Sequence, residues 1–506
     1  MISKLSYFFL VLLFATTLKA ADQPNVILII ADDMGFSDIG SYGAEIETPN
    51  LDRLAYNGLR FRNFYNMAKC EPTRSSLFTG RFLPGKHIEN AIPFSTLMRD
   101  AGYYTAMVGK EHFTNWVPAR CFAVNSFDDS FVFWKINSFF VRPETGQFEN
   151  PFRLNGVIVP PEEMDVQQKP LFKTDVMTNY ALTFLEKAND QKKPFFLYLP
   201  YHVAHYPLQA REEDIAKYRG KYKVGWDKIR ADRFAKQQEL GIIPDNAVLS
   251  PPEDNVNKFR GPFRDNIYKY RPWNSLEEDE QDELDLEQAV FAAMVDRMDQ
   301  NIGRVLAKLD AIKERENTLI LFFTDNGSCP YDSNVDFNVP PGPAESYRTL
   351  SAAWSNVGNT PYRFYKQYGH EGGALTHMIA NWPAVIKPGM TDAVAHLTDI
   401  YPTMLELAGT DYPDTLDGNP TPTLDGETMV PILKGEDRES PDIIVSGHTD
   451  RFRMIRVGDW KLVRVNGEPW ELYNLNEDPT ELNNLVKQFP EKVEEITKAY
   501  EDYLKT

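Results

Sequence analysis

Four short apolar runs constrain the fold of this 506-residue chain more than any other feature of its sequence. They are Val26–Ala31, Tyr103–Val108, Phe195–Leu199 and Leu319–Thr324, and their composition is typical of buried parallel strands. Helical patterns separate them, at Asn50–Asn57, Ser75–Thr79, Asp175–Ala188 and Asp285–Leu309. This alternation predicts an α/β fold in which helices flank a mostly parallel central sheet.

Polar or ionisable residues follow each of these predicted strands directly. They are Asp32-Asp33, then Lys110 and His112, then His202 and His205, then Asp325-Asn326. Ligands of open α/β sheets bind at the carboxyl ends of the strands. Four strands that deliver such groups to one edge therefore predict a functional site at that edge.

The first twenty residues differ in composition from the rest of the chain. Residues 1–20 read MISKLSYFFLVLLFATTLKA, which is typical of a secretory signal peptide cleaved near Ala20 and is too short for a membrane span. No later apolar run is long enough to span a bilayer, so we expect an exported protein, periplasmic or secreted.

After the signal peptide we predict an α/β domain over residues 21–438 and a small α+β subdomain over residues 439–506. The subdomain would hold an antiparallel sheet and a last helix, with strands at Ile443–Ser446, Met454–Val457, Trp460–Val465 and Trp470–Asn474 and the helix at Pro490–Tyr503. Residues 206–284 are highly charged. They are either an insertion over the active-site face or a solvated surface excursion.

The net charge of −19 argues against a nucleic-acid binder, which normally has a basic surface. It does not exclude an anionic substrate, because salt screens charges over about 8 Å and the local field decides. The sequence near residue 70 is locally basic, with Lys69, Arg74, Arg81, Lys86 and Lys110.

The chain has only three cysteines, Cys70, Cys121 and Cys329, which excludes a disulfide-built scaffold. Whether Cys121 and Cys329 pair is left open by the sequence.

The segment that carries most chemical information is Cys70-Glu71-Pro72-Thr73-Arg74-Ser75-Ser76-Leu77-Phe78-Thr79-Gly80. It resembles the signature of the type I sulfatases, Cys-x-Pro-x-Arg followed by Leu/Phe-Thr-Gly. In that family a maturation enzyme oxidises the cysteine to formylglycine, whose hydrated aldehyde attacks the sulfur of a sulfate ester. The second diol oxygen then allows the sulfated intermediate to collapse. The plainer alternative is a buried structural cysteine before a helix.

The resemblance extends to a metal site. It implies that Asp32, Asp33, Asp325, Asn326 and the modified residue 70 hold one Ca²⁺, which would polarise a sulfate oxygen and activate the attacking diol oxygen. Carboxylate and amide oxygens are hard ligands that suit Ca²⁺, or Mg²⁺, rather than zinc.

Three further segments resemble the family's acid, base and cation positions. Arg74 lies one helical turn after Cys70 and would hold the formylglycine diol. The segment Gly102–His112 resembles Gly-Tyr-x-Thr-Ala-x-x-Gly-Lys-Trp-His, so Lys110 would bind sulfate and His112 would be the base for sulfate release. Glu111 stands where the family has tryptophan, and its role stays open.

The segment His205-Tyr206-Pro207 resembles the family's Pro-His-x-Pro, which makes His205 the acid for the leaving group. Lys366, in Asn359–Lys366, would clamp the sulfate. His202 has no counterpart in the family pattern, and we interpret it as a partly exposed loop histidine rather than a catalytic one.

The resemblance indicates the arylsulfatase-like branch of the alkaline phosphatase superfold, and sulfated carbohydrates as the substrate class. Residues that read the substrate should come from variable segments, at Asn125–Asn150, 206–284 and 331–356, with His448, Arg451 and Arg453. The many aromatic residues of 121–150 could stack on sugars, but core packing is the preferred interpretation.

Two other functions compete with a sulfatase. One is a phosphonate or phosphate ester hydrolase of the same superfold, since phosphonate monoester hydrolases also use formylglycine. A phosphatase of this superfold would instead keep serine or threonine and bind two zinc ions. The other is a degenerate binding module, which the full set of candidate residues opposes.

Overall fold

The fold was analysed in a computed structural model of the 506-residue chain. It describes residues 23–82, 89–113, 122–134, 138–140, 150–164, 170–252, 270–331, 333–448, 451–465 and 467–505. The predicted signal peptide and Cys121 lie outside the described residues, so neither the cleavage site nor a Cys121–Cys329 pair is tested. Cys329 itself is buried and has no disulfide partner among the described residues.

The described strands and helices follow one another along the whole chain. The strands are β1 Asn25–Ala31, β2 Leu59–Tyr65, β3 Tyr104–Lys110, β4 Asp129–Phe133, β5 Arg153–Leu154, β6 Val157–Ile158, β7 Phe195–Pro200, β8 Thr318–Thr324, β9 Leu375–Asn381, β10 Gly389–His396, β11 Thr415–Leu416, β12 Asn419–Pro420, β13 Ile444–His448, β14 Phe452–Val457, β15 Trp460–Val465 and β16 Glu471–Asn474. The helices are α1 Pro49–Tyr56, α2 Cys70–Thr79, α3 Phe94–Asp100, α4 Phe122–Ser126, α5 Lys173–Gln191, α6 Glu212–Ile215, α7 Trp226–Glu239, α8 Glu278–Ala311, α9 Ala352–Gly358, α10 Glu371–Ala374, α11 Ile400–Ala408, α12 Val430–Lys434 and α13 Pro490–Tyr503.

The large sheet has the strand order β10-β2-β9-β8-β1-β7-β3-β4-β5-β6. Its centre, β8-β1-β7-β3, consists of the four predicted strands, all parallel and in contact in this order. Every residue of β1 is buried, and Ile27 lies between Ile320 and Leu197 on the neighbouring strands. The predicted mostly parallel sheet is confirmed. Strand β9 runs antiparallel to β8 and β2, which the sequence did not indicate.

Helices cover this sheet. Helix α5 contacts β3, β7 and helix α8, whose buried side chains include Val290, Met294 and Met298 at helical spacing. Helix α8 begins seven residues before the predicted Asp285, because Glu277 and Glu280 form a capping box at its start. Acidic side chains at a helix N-terminus also interact favourably with the helix dipole. The acidic run Glu277–Glu283 is therefore mostly the first two turns of a helix.

The charged segment 206–284 is described over 206–252 and 270–284. Helix α7 within it buries Trp226, whose ring meets those of Trp273 and Trp354. Its buried Arg233 donates to Asp38 at 2.7 Å and to Glu45 at 2.8 Å. This part of the segment is bonded to the residues that follow β1.

The C-terminal residues form a separate antiparallel sheet in the order β13-β14-β15-β16, followed by α13, as predicted. The turn between β14 and β15 contains Gly458 at φ 56°, a left-handed conformation that glycine adopts readily. None of the helices in the described ranges has the length and apolar character that a membrane span requires.

Candidate active site

The carboxyl ends of the four central parallel strands meet at one edge of the sheet, and the predicted site residues come together there. Asp32 and Asp33 follow β1, and Asp325 and Asn326 follow β8. Lys110 ends β3. Lys366 arrives from a loop between α9 and α10, and Arg74 from α2. We call these seven residues the strand-end cluster.

Helix α2 brings residue 70 and Arg74 to this edge. Cys70 begins the helix, and Gly80 ends it in the left-handed conformation at φ 65°. Thr73 fixes the helix, because its hydroxyl donates to the carbonyl of Asp325 at 2.7 Å and accepts from the amide of Met67 at 3.0 Å. The sulfur of Cys70 and one carboxylate oxygen each of Asp32 and Asp325 lie within 4.8 Å of one another.

Each carboxylate of the strand-end cluster has its own cation. Arg74 donates to Asp325 Oδ2 from Nη2 at 2.8 Å and from Nε at 3.1 Å. Lys110 donates to Asp32 Oδ2 at 2.5 Å, and Lys366 to Asp33 Oδ1 at 2.5 Å. All of these side chains are buried, so charges are held together where water does not screen them.

These neighbours set the protonation of the site. Burial opposes ionisation of Asp32 and Asp33, but Lys110 beside the first and Lys366 beside the second hold both pKa values below the usual range. Burial, together with the charge of Asp32, raises the pKa of Asp325 to about 7 in spite of Arg74. Burial also raises the pKa of the Cys70 thiol. An unmodified Cys70 is therefore a thiol at neutral pH and a poor nucleophile.

The donor set fits a hard divalent cation. Asp32 Oδ1, Asp33 Oδ2 and Asn326 Oδ1 are buried, and none has a hydrogen-bond partner among the described atoms. Buried oxygens without partners are costly, and a cation that they coordinate removes this cost. Oxygen ligands of this kind suit Ca²⁺ or Mg²⁺.

Three histidines surround the cluster. His205 Nδ1 lies 2.8 Å from the carbonyl of Tyr206, and its Nε2 lies 3.4 Å from Asp33 Oδ2. Burial lowers the pKa of His205 to about 4, although Asp33 opposes this shift. Burial, then Lys110 and Arg74, hold the pKa of His112 well below its usual range.

His202 does not match its prediction as a partly exposed loop histidine. It is 1% exposed, its ring stacks on His205 at 4.9 Å, and Lys173 Nζ lies 2.6 Å from its Nδ1. The prediction was wrong because the residues after β7 turn into the core, beneath the site. Lys173, at the first position of α5, has no sequence signal that separates it from a surface lysine.

Most of the aromatic side chains of the 121–150 segment that the structure describes are in the core, while Trp134 is only half-buried. Phe122, Phe127, Phe131, Phe133, Phe139 and Phe140 are all buried, which confirms packing as their role. Other variable segments do reach the site. The ring centre of Tyr331 lies 5.3 Å from the Lys366 ammonium, and Tyr331 belongs to a small buried cluster with Tyr206 and Cys329.

The C-terminal residues also approach the site, next to residue 70. Lys69 Nζ lies 3.0 Å from His448 Nε2, and Arg451 donates to Gln367 at 2.8 Å. Glu111 is buried and accepts from the amide of Ala123 at 2.9 Å.

Two protein-family models match the chain. The sulfatase family model matches residues 24–410. The chain belongs to the sulfatase family. A second model, described as the C-terminal part of N-sulphoglucosamine sulphohydrolase, matches residues 361–506. As a type I sulfatase of the alkaline phosphatase superfold, the protein is a sulfuric ester hydrolase.

Individual relatives agree with this assignment. An uncharacterized sulfatase of Schizosaccharomyces pombe is 32% identical over 442 residues, which are 77% of this chain and 76% of that protein. The arylsulfatase of Klebsiella aerogenes is 29% identical over 453 residues, 81% of this chain and 92% of the enzyme.

Solved structures share the fold. Ps i-CgsB, in a crystal structure with k-i-k-neocarrahexaose, has a TM-score of 0.66 at 24% identity and covers 95% of this sulfatase, which covers 92% of it. The structure of BT4656 in complex with its substrate D-glucosamine-2-N,6-O-disulfate has a TM-score of 0.63 at 21% identity. The match covers 96% of this chain and 98% of BT4656.

Proposed function

We propose that this sulfatase is exported and hydrolyses sulfate esters of carbohydrates, with residue 70 as the nucleophile after its conversion to formylglycine. The observation that carries the proposal is the strand-end cluster. It holds residue 70 among three cations and three buried oxygens without hydrogen-bond partners among the described atoms.

The proposal requires a bound metal ion and the modified form of residue 70. Asp32, Asp33, Asp325, Asn326 and residue 70 would hold one Ca²⁺, which supplies a Lewis acid for a sulfate oxygen. Formylglycine at position 70 supplies an oxygen nucleophile in place of the thiol, whose raised pKa makes it unsuited to attack.

The cations of the cluster bind and orient the substrate. A sulfate ester carries one negative charge and gains more on its leaving oxygen as the bond to sulfur breaks. Lys110 and Lys366 reach the site from β3 and from the loop between α9 and α10, and they pair with Asp32 and Asp33. Their buried ammonium groups would hold the sulfate oxygens in a fixed position without reorganising water. Arg74 would orient residue 70, which lies one turn before it on α2.

The histidines move protons. His205 Nδ1 faces a carbonyl, so the transferable proton belongs on Nε2, toward Asp33 and the leaving oxygen. Burial disfavours that proton in the free protein, and a bound sulfate anion favours it by adding a negative charge beside the ring. His205 would thus gain its proton with the substrate and donate it to the leaving oxygen. His112, held neutral by burial and by Lys110, is suited to accept a proton during sulfate release.

Carbohydrate esters are the favoured substrates for two reasons. Two proteins of similar fold are described in complex with k-i-k-neocarrahexaose and with D-glucosamine-2-N,6-O-disulfate. Polar side chains from separate segments, Lys69, His448 and Arg451, also lie beside residue 70, where a substrate with several polar groups would need partners. Export is supported by residues 1–20 alone.

The test begins with residue 70. The full-length chain is produced with a formylglycine-generating enzyme, and the mass of the peptide containing residue 70 is measured. We expect replacement of the thiol by an aldehyde, and turnover of some members of a panel of defined sulfated sugars. The Cys70→Ala variant should lose at least about 10³-fold in kcat/KM with an unchanged melting temperature.

Matched phosphate and phosphonate monoesters form the control panel. Faster turnover of these esters than of every sulfate ester would replace the proposal with the phosphonate hydrolase alternative. An unmodified thiol under these conditions, with no turnover, would favour a degenerate binding module.

A further inference from the structure

A buried lysine–histidine pair lies directly behind the active site and has no part in the mechanism above. Lys173 Nζ and His202 Nδ1 are 2.6 Å apart, and both side chains are at most 1% exposed. Lys173 starts α5, and His202 follows β7 three residues before His205. The pair therefore connects helix α5 to His202, the histidine whose ring stacks on that of His205.

The surroundings of Lys173 indicate that it is an ammonium ion. Its Nζ lies 4.6 Å from the ring centre of Phe133 and 4.3 Å from that of Phe139. Aromatic faces attract a cation, most strongly where water is absent. An ammonium group has three donors and no acceptor, so His202 Nδ1 must accept the hydrogen bond.

This hydrogen bond determines the tautomer of His202. A neutral imidazole that accepts at Nδ1 carries its proton at Nε2. Burial, followed by the charge of Lys173, holds the pKa of His202 well below its usual range, so the ring stays neutral. His202 is therefore a fixed N–H donor at Nε2.

That donor has no partner among the described residues, although it is buried. One nitrogen of His202, one of His205 and an oxygen of Asp32 lie within 4.8 Å of one another. The spacing is compatible with a metal ion, but a protonated Nε2 cannot be a ligand. An oxygen atom of a bound molecule, placed between His202 and the cations, would satisfy this donor instead.

We propose that His202 is a further substrate-binding residue, whose Nε2–H donates to a non-bridging oxygen of the sulfate group, and that Lys173 is the positioning residue that fixes this tautomer. The inference rests on the proposed function, because it assumes that the strand-end cluster receives a sulfate group.

Two amide substitutions separate the two nitrogens of the ring. The amide oxygen of Asn can replace Nδ1 as the acceptor for Lys173, but Asn is too short to replace Nε2. The amide of Gln reaches the position of Nε2 and restores a donor there. His202→Asn should therefore lower kcat/KM about 10- to 100-fold, the range for one hydrogen bond to a charged group, and His202→Gln should recover most of this loss.

Lys173→Met tests the positioning role. The ring then loses the donor that fixes it, and we expect a loss of about tenfold in the wild-type background. In the His202→Asn background the same substitution should have no further effect on kcat/KM, because the group through which Lys173 acts is gone. Melting temperatures of all variants separate these losses from unfolding.

Binding of inorganic sulfate to the matured full-length protein, measured by competition or by thermal shift, gives a readout without turnover. We expect weaker sulfate binding by His202→Asn than by His202→Gln. Equal kcat/KM and equal sulfate affinity for the two variants, or additive losses with Lys173→Met, would overturn the inference. A wild type that binds sulfate through His202 but hydrolyses no sulfate ester would retain the inference and reject the proposed function. A wild type that neither binds sulfate nor turns over a sulfate ester would reject both.

Discussion

Two buried charge clusters of similar composition lie on either side of the loop that carries Lys366. One is the strand-end cluster. The other, which we call the junction cluster, joins the C-terminal sheet to the large sheet through Tyr65, Glu371, Arg456, Lys461 and Glu481. Lys461 Nζ lies 2.5 Å from Glu371 Oε1 and 2.9 Å from Glu481 Oε1.

The junction cluster is closed. The second oxygen of Glu371 accepts from the Tyr65 hydroxyl at 2.8 Å, and that of Glu481 accepts from the Glu371 amide at 2.7 Å. Three of the four carboxylate oxygens thus accept a hydrogen bond, and the fourth, Glu481 Oε1, has its ion pair with Lys461. In the strand-end cluster, Asp32 Oδ1 and Asn326 Oδ1 have no partner among the described atoms.

The difference teaches that burial of charge does not mark a functional site. Both clusters hold ion pairs that water does not reach. Only the strand-end cluster has buried side-chain oxygens with neither a hydrogen bond nor an ion pair to the described protein atoms, and a metal ion or a substrate can bind at these oxygens.

The largest effect is expected for a substitution in the strand-end cluster that removes a proposed metal ligand. Asp325→Ala removes a carboxylate from the set of oxygens and leaves Arg74 without its partner. We expect loss of bound calcium and a fall of at least about 10³-fold in kcat/KM. Metal analysis of the purified protein, with activity measured on the same sample, checks this.

Glu371→Gln is the matched control, since it changes a buried carboxylate of the junction cluster. Its calcium content should equal that of the wild type. Equal calcium in Asp325→Ala and the wild type would reject Asp325 as a ligand.

Substitution of His205 tests whether a leaving oxygen is protonated beside the strand-end cluster. His205→Ala should lower kcat/KM by about 10²–10⁴-fold on unactivated sugar sulfates, whose leaving oxygen needs a proton. The loss on an activated aryl sulfate should be much smaller. His112→Ala serves as the control, because sulfate release is a common step for all substrates. The rate of sulfate release should therefore fall equally for the two substrate classes. Equal losses for His205→Ala on the two classes would remove it from the acid role.

The same cation removed from each cluster should have different consequences. Lys461→Met leaves two buried carboxylates without their ammonium and should lower the free energy of unfolding by about 3–5 kcal/mol. The folded fraction should keep its kcat/KM, since the junction cluster touches no substrate. Chemical denaturation and activity at low denaturant measure the two quantities. Lys366→Met, by contrast, should lose activity in protein that is still folded. A loss of kcat/KM in folded Lys461→Met, with unchanged kcat/KM in Lys366→Met, would contradict the distinction between the two clusters.

The sequence alone predicted much of this arrangement, and the reasons are physical. Strand β1 is apolar on both faces, so its burial is readable, and Asp32-Asp33 must then stand at its carboxyl end. Strand β2 is different, because Arg60, Arg62 and Asn63 interrupt its apolar pattern and its register with β9 shifts between Phe61 and Phe64.

What could not be predicted depends on contacts between distant parts of the chain. Lys366 meets Asp33 across 333 positions, and Lys173 meets His202 inside the core. The segment Asn359–Lys366 marked Lys366 as a candidate site residue, but its bond to Asp33 could not be predicted. No local pattern distinguishes Lys173 from an exposed lysine, and without that contact His202 was expected to be partly exposed. The roles of the site residues remain predictions that the variants above test.

Glu111, which belongs to neither cluster, yields the smallest effect and sharpens the comparison through pH. It is 5% exposed, and burial raises its pKa to about 7 against the Ala123 amide and the charge of Arg153. Because the folded-state pKa lies above the unfolded value, the neutral carboxyl is favoured on folding. The stabilisation is complete below the unfolded pKa and is lost as the pH rises through about 7. Glu111→Gln, which stays neutral, should match the wild type at about pH 4 and exceed its free energy of unfolding by up to about 3 kcal/mol at about pH 9. Urea denaturation across this range measures the difference, and a gap that does not change with pH would show that Glu111 stays ionised in the folded protein, as the paired carboxylates of both clusters can.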